Sequence, residues 1–160
     1  RGTAAAMFSA RMSFQSRPAS GDDVELLRRI QREALGASVE AVFGTTEAEQ
    51  RAFFDARFDW RDYQIICVRG EAAGFLMWEE RGDYVYLGNL ALLPRFQRRG
   101  VDAGVLAHVV ERAEALGLPV RLQVLRGNPA RNFYARHGFE EEGQTETHVL
   151  MGGPVGPGEG

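Results

Sequence analysis

Residues Gln97 to Gly104 read Gln-Arg-Arg-Gly-Val-Asp-Ala-Gly and carry the clearest chemistry in the chain. An apolar run, Tyr84 to Leu93, ends just before them, and an apolar-periodic segment starts inside them. A glycine-bearing, arginine-flanked loop between a strand and a helix is a natural anion cradle. The first amides of a helix have no partner inside it, and that end carries partial positive charge. Gly100 lets the backbone approach an anion with no Cβ in the way. Arg98 and Arg99 supply charge, and the amides of residues 99 to 104 can point into one concavity. Asp102 is the misfit, because it sets a carboxylate where an anion has to approach. A second cluster, Asn128 to Phe139, reads Asn-Pro-Ala-Arg-Asn-Phe-Tyr-Ala-Arg-His-Gly-Phe.

The remaining reactive side chains form no pattern. Glu79 and Glu80 end one strand and point to opposite faces. His108, His137 and His148 are scattered, with His148 a candidate to line an acceptor site. Cys67 sits in a buried-strand run and reads as inert core. No Cys/His spacing suggests a metal, and no Ser-His-Asp arrangement has supporting context. All 19 residues counted as Lys+Arg are arginine, so any anion must be met by arginine and backbone.

The elements that must hold these residues follow from periodicity and turn chemistry. Ser13 to Arg17 alternates weakly and suits a first strand. Ser20-Gly-Asp-Asp23 caps a helix in which Val24, Leu27, Ile30 and Ala34 share a face, with Gly36 as its end. Val39 to Gly44 reads as an apolar link. Thr46 with Glu49 forms a capping box for a second helix to about Phe58, with Phe53 and Phe54 inward. Ile65 to Val68, Ala73 to Glu79 and Tyr84 to Leu92 read as strands joined at Arg69-Gly-Glu71 and Arg81-Gly-Asp83. Val101, Val105, Val109 and Ala113 share one face of a crossover helix closed by Gly117. Val120 to Leu125 is a strand. Asn128-Pro129 starts a short helix that Gly138 ends. A strand region begins at Phe139 and returns near His148 to Met151. Hairpins early and a crossover helix late require a mixed sheet.

Composition limits the function classes. At 160 residues and 44% hydrophobic, the chain suits one globular domain over 12–151. Residues 1–11 read as a disordered arm or cloning remnant, and the Gly/Pro-rich 152–160 as a disordered tail. No apolar stretch is long enough for a membrane span. A net charge of -3, and arginines at 95, 98 and 99 without interleaved aromatics, speak against nucleic acid. One lone cysteine fits a reducing cytoplasm.

Together the two clusters resemble the GNAT superfamily of acyl-CoA-dependent N-acetyltransferases. The family's loop pattern is Gln/Arg-x-x-Gly-x-Gly/Ala after a strand ending apolar-x-Pro. Here Leu92-Leu93-Pro94 precedes Gln97-Arg-Arg-Gly100-Val-Asp102. The family's later Asn, aromatic-Tyr pair and Gly-Phe correspond to Asn128, Phe133-Tyr134 and Gly138-Phe139. The likeness covers about Ser13 to Met151 and is specific in the second half. It implies an α/β (α+β) fold: a mixed, mainly antiparallel sheet of six to seven strands flanked by about four helices.

The resemblance also implies acetyl-CoA as co-substrate, with no metal, and direct attack by a primary amine on a small molecule or peptide. Acetyl-CoA would lie along Leu90, Leu92 and Leu93. Its pyrophosphate would sit on Gln97, Arg98, Arg99, Gly100, Val101, Asp102, Ala103 and Gly104. The Leu92 N–H would stabilise the thioester oxyanion. Tyr134 would protonate the departing thiolate. Asn128 would contact the pantetheine arm or set the turn, and Glu79 is a candidate base. Loops at Phe43-Gly44 and around Trp78 to Tyr84 would shape the acceptor site, and their acidic and aromatic character favours a cationic amine. A homodimer suits such folds. Asp102 departs from the family's Gly or Ala. The alternative is therefore a catalytically weak CoA-binding or regulatory module. The carboxylate either pairs with Arg98 or Arg99 or turns to solvent.

Overall fold

The computed structural model describes residues 13–43, 46, 48, 49, 52 and 58–154. Seven strands form one sheet: β1 (Gln15–Pro18), β2 (Gln64–Val68), β3 (Glu71–Glu80), β4 (Val85–Leu92), β5 (Val120–Leu125), β6 (Glu140–Gln144) and β7 (His148–Gly153). Their order is β1-β2-β3-β4-β5-β7-β6. Every neighbouring pair is antiparallel except β4 and β5. Three helices are described over their full span: α1 (Val24–Phe43), α2 (Val101–Ala115) and α3 (Ala130–Arg136). The mixed, mainly antiparallel sheet is the expected one, and residues 48, 49 and 52 are helical besides these three.

Local chemistry explains the boundaries. Ser20 and Asp23 form a reciprocal capping box ahead of α1, which satisfies amides that the helix cannot. Asp23 also holds Arg17 of β1 at 2.8 Å, so one carboxylate joins strand and helix. Arg69 and Gly70 both have positive φ, the geometry of a two-residue hairpin whose twist matches its strands. α2 buries Val101, Val105, Leu106, Val109 and Ala113, the expected stripe. Leu27 and Ile30 of α1 are fully buried beside Ile65, Phe75 and Leu76 of the sheet.

Two expectations are corrected. α1 does not end at Gly36 but continues through it to Phe43, so residues 39–43 are helix and not a link. A single glycine costs a helix about 1 kcal/mol, and no proline follows to enforce a stop. Gly152 and Gly153 belong to β7, where they pair with Arg121 and Val120, so they are strand. The second helix lies mostly outside the described residues. Its capping box is present, with the Thr46 N–H bonding Glu49 at 2.8 Å, and residues 48, 49 and 52 are helical. Gly44, Phe53 and Phe54 lie outside the described residues.

The feature that positions the site is a break between β4 and β5. They pair only at Val85↔Val120, Tyr86↔Arg121 and Leu87↔Leu122. Beyond Leu87 both strands continue unpaired with each other. The register of β3 and β4 jumps there, with Met77 opposite Asn89 and Trp78 opposite Leu87. Gly88 is thus an extra residue, a β-bulge, and a bulge bends its strand and increases local twist. A Cβ on Gly88 would lie 2.4 Å from Met77 Cε. The bend swings residues 88–92 away from β5 and opens a wedge in the middle of the sheet.

Candidate active site

The wedge forms the floor of a cavity of about 1050 Å³. Its two strand walls are Leu87–Leu92 and Leu122–Leu125. Backbone alternation decides what the β4 wall offers. Leu93 N–H donates to Ala73 C=O at 2.8 Å, and Leu92 stands opposite Gly74. In an antiparallel ladder successive residues point their polar groups to opposite edges. Leu90 and Leu92 therefore turn N–H and C=O away from β3, into the wedge. The Leu92 C=O is taken by the Gln97 side-chain amide at 2.8 Å, which ties the following loop to the strand end. Its N–H remains aimed into the wedge.

The loop at the mouth of the wedge has the shape its sequence suggests. Arg98 and Gly100 have φ of 64° and 82°, a left-handed alternation that gathers successive amides into a concavity. Gly100 is the residue ahead of α2, and the first helical bond runs from Gly104 N–H to Gly100 C=O at 3.0 Å. The amides of Val101, Asp102 and Ala103 are left without helical partners. Asp102 neither pairs with Arg98 or Arg99 nor turns fully to solvent. It is half-buried, borders the cavity and accepts the Ala103 N–H at 2.8 Å. Its carboxylate thus occupies one of the donors an incoming phosphate would use. Arg98 borders the cavity and Arg99 is exposed. Arg95 is engaged elsewhere, 3.2 Å from Glu71 and stacked over Phe96.

Tyr134 stands on α3, buried, with its ring edge-on to Phe133 and Phe139. It borders the same cavity, and its hydroxyl has no hydrogen-bond partner among the described residues. Burial raises its phenol well above the ordinary value, and the Asp102 charge raises it further. The group therefore keeps its proton. Asn128 lines the cavity, and its side-chain oxygen accepts the N–H of Ala130, the first residue of α3, at 2.9 Å.

Not every candidate is brought here. Glu79 lies at the far end of β3, exposed, bonded to Arg81 through the arginine Nε at 2.8 Å, and does not line the cavity. The 78–84 hairpin is likewise remote: Trp78 lies under Arg112 and Tyr84 under Arg121. His148 does line the cavity. Burial lowers its pKa, and its Nδ1 lies 2.8 Å from the Thr147 hydroxyl. His108 is half-buried against Phe14. Among the described residues no cluster of His, Cys, Asp or Glu could hold a metal ion, and no helix is long and apolar enough to cross a membrane.

The remaining wall was not anticipated. It consists of Gln31, Ala34 and Leu35 of α1 with Phe58, Tyr63 and Asn89. Asn89 donates to the Tyr63 hydroxyl at 3.3 Å. Gln31 Oε1 is buried without a hydrogen-bond partner among the described residues. A signal was present: Gln31 falls four residues after Leu27, a polar side chain on the apolar stripe.

The model of the Acetyltransferase (GNAT) family matches residues 25–139. The chain belongs to the GNAT acetyltransferase family. Solved structures agree on the fold of this GNAT chain. The PaiA N-acetyltransferase of Thermoplasma acidophilum, in complex with coenzyme A, is 18% identical with a TM-score of 0.75, over 88% of this chain and 98% of that one. The ribosomal-protein-S18-alanine N-acetyltransferase of Escherichia coli is 21% identical with a TM-score of 0.62, over 91% and 97%.

Proposed function

We propose that this GNAT chain moves an acetyl group from acetyl-CoA to a primary amine by direct attack. The observation that carries the reading is the wedge: β4 residues unpaired with β5, the loop residues Gln97, Arg98, Asp102 and Ala103, and Tyr134 border one cavity. Acetyl-CoA supplies an activated thioester. Leu90 and Leu92 hold the extended arm by backbone pairing, as a missing strand would. The nest and Arg98 take the pyrophosphate. The Leu92 N–H faces the carbonyl oxygen as it gains charge. As the amide forms and the C–S bond breaks, Tyr134 gives its proton to the departing sulfur, and the proton lost from the amine nitrogen returns to Tyr134 through solvent. Glu79 has no part in this scheme, because it lies outside the cavity.

Asp102 favours a second reading, a GNAT-fold module that holds CoA weakly and turns over slowly. Its carboxylate already caps Ala103 and borders the phosphate seat. Titration calorimetry with acetyl-CoA, followed by thiol release with an amine panel, separates the two. Heat plus amine-dependent thiol release supports the transferase. Heat without release supports the module, and no heat at millimolar acetyl-CoA sinks both.

A further inference from the structure

Acyl transfer to an amine moves two protons, and Tyr134 handles the one that goes to sulfur. The attacking nitrogen gains positive charge, so a group beside it has to take its proton as the amide forms. The handedness of the fold separates the two sides of the wedge. β4 and β5 are parallel neighbours joined through α2. β5 and β6 both run antiparallel to β7, so they too are parallel, and α3 joins them. Both connections step the same way along the sheet. Right-handed crossovers then set α2 and α3 on one face. Tyr134 therefore borders the cavity from the α2–α3 face.

His148 borders it from the other face. Side chains paired across a ladder share a face, and successive ones alternate. Trp78, Leu87 and Leu122 stand in one row, and Trp78 lies under Arg112 of α2, so this row faces α2. Val124 and its partner Val149 lie on the same face and are buried. His148 and its partner Leu125 alternate with them, so they face away from α2 and are half-buried. Met77 alternates with Trp78, which puts its partner Asn89 on the His148 side as well. His148 and Leu125 thus form one bank of the wedge and Asn89 the other, all bordering the cavity. Acid and base on opposite faces suit the reaction, because the amine approaches the thioester carbon from one side and the sulfur leaves on the other.

The imidazole is held for the task. The His148 N–H donates to Thr145 Oγ1 at 2.9 Å, and its C=O accepts the Thr145 N–H at 2.8 Å, so the β6–β7 turn fixes its backbone. Its Nδ1 lies 2.8 Å from Thr147 Oγ1. With Nδ1–H donating to that oxygen, the lone pair falls on Nε2. Burial lowers the ring's pKa below the ordinary histidine value, so it is neutral at pH 7.5 and open to a proton. The charged and titratable groups around it are Arg126 and Glu146 in the flanking turns, Arg136 and His137 at the end of α3, and Glu49 at the cavity rim.

We propose that His148 is the catalytic base: its Nε2 takes the proton from the attacking nitrogen as the C–N bond forms, while Tyr134 protonates the sulfur as the C–S bond breaks. The amine enters as its free base, its first proton already lost to solvent. His148 afterwards gives its proton to solvent, from which Tyr134 is restored, so both residues end as they began. This inference rests on the acetyltransferase reading above.

The test compares kcat/KM of the full chain and its His148→Gln variant from pH 5 to pH 9. The acceptor is the fastest of spermidine, tyramine, Nα-acetyl-lysine amide and a hexapeptide with N-terminal alanine. Ionisation of the amine affects both proteins alike and cancels in their ratio. The parent should exceed His148→Gln about a hundredfold at pH 7.5, with acetyl-CoA affinity within twofold. The ratio should fall about tenfold per pH unit below a midpoint under 6.5, the ordinary histidine value. The NMR titration of the His148 ring in the parent should share that midpoint, since kcat/KM reports the free enzyme. A ratio under threefold at pH 7.5, a ratio independent of pH, or a kinetic midpoint more than one pH unit from the NMR titration overturns the inference and leaves the acetyltransferase reading standing. Should His148→Gln lose acetyl-CoA binding, Thr147→Val is the second variant. It strips Nδ1 of its partner and should lower kcat/KM at pH 7.5 at least threefold, and a value within 1.5-fold of the parent overturns the inference. Absence of transfer to every amine removes both.

Discussion

Replacing Asp102 with asparagine should tighten acetyl-CoA binding. The side-chain oxygen lies 2.8 Å from the Ala103 nitrogen, so a phosphate oxygen on the neighbouring free amides would sit roughly 5 Å from the carboxylate. Two unit charges at that spacing repel by about 3 kcal/mol at an effective dielectric of about 20. Asp102 is only half-buried, so solvent and salt screen part of this, and roughly 1.5–3 kcal/mol remains. That converts to a tenfold to hundredfold gain in affinity. Asparagine keeps an oxygen for the Ala103 N–H, so the loop should hold its shape. Glycine would also remove a stabilising first-turn carboxylate, worth about 0.3–1 kcal/mol to the helix, and would blur the comparison. Calorimetry of parent and Asp102→Asn at about 20 and 300 mM salt measures the effect. The advantage of the variant should shrink at high salt, where the repulsion is screened. S-acetylpantetheine has no pyrophosphate and should bind both proteins alike. Equal or weaker acetyl-CoA affinity in Asp102→Asn refutes the reasoning, as does an equal gain for S-acetylpantetheine.

Three further outcomes follow from single contacts. Tyr134→Phe should lower kcat about a hundredfold with acetyl-CoA affinity within twofold, and should not lower Tm, because the phenol has no partner to lose; a kcat within threefold of the parent removes Tyr134 as the acid. Gly74→Ala would place a Cβ 2.1 Å from the Ala91 carbonyl oxygen and 2.9 Å from Leu92 Cα, both backbone. It should cost about 3 kcal/mol, read as a fall in Tm of roughly 6–12 °C, and a Tm within 2 °C would show that β3 and β4 can part freely. Asp23 is held at about 2, chiefly by Arg17 and also by the Ser20 N–H. A depressed carboxyl contributes stability above its ordinary value near 3.8 and loses it as pH falls through about 2. Arg17 is half exposed, so the contribution is about 1–2 kcal/mol. Asp23→Asn should lower Tm at pH 7 and flatten its fall between pH 4 and pH 2, which thermal melts across that range would check.

What the sequence made legible, and what it hid, divides along one physical line. Side-chain periodicity exposed the elements that bury a face: the stripe of α2, the alternating strands, and the capping boxes at Ser20 and Thr46. Turn chemistry placed both hairpins. Gly36 misled because a glycine stops a helix only when the chain beyond it has somewhere better to go. Glu79 misled because position along a strand says nothing about which end of the sheet holds the site. The cavity wall at Gln31 and Asn89 was missed for a different reason. Gln31 and Asn89 are neutral amides, and neutral amides announce no chemistry until burial leaves one of them unpartnered. Gln31 was still visible in principle as a polar interruption of the Val24–Leu27–Ile30–Ala34 face.

The deepest part of the site was hidden because it is made of backbone. The wedge depends on the bulge at Gly88, on three paired positions between β4 and β5, and on the ladder phase that turns Leu90 and Leu92 outward. No side chain encodes that phase directly. An interior glycine in a strand is its single trace, since such glycines mark bulges. The same dependence on backbone accounts for how Asp102 can occupy a position where bulk and charge oppose an anion. The donors of the seat are amides fixed by Gly100 and the start of α2, and the substitution leaves them in place. It adds a competitor beside them. A loop built on side-chain donors would have lost a contact outright. One built on amides keeps its geometry: the Asp102 side chain engages a single donor, the Ala103 N–H, and adds a charge, and a neutral isostere at position 102 keeps the first effect and removes the second.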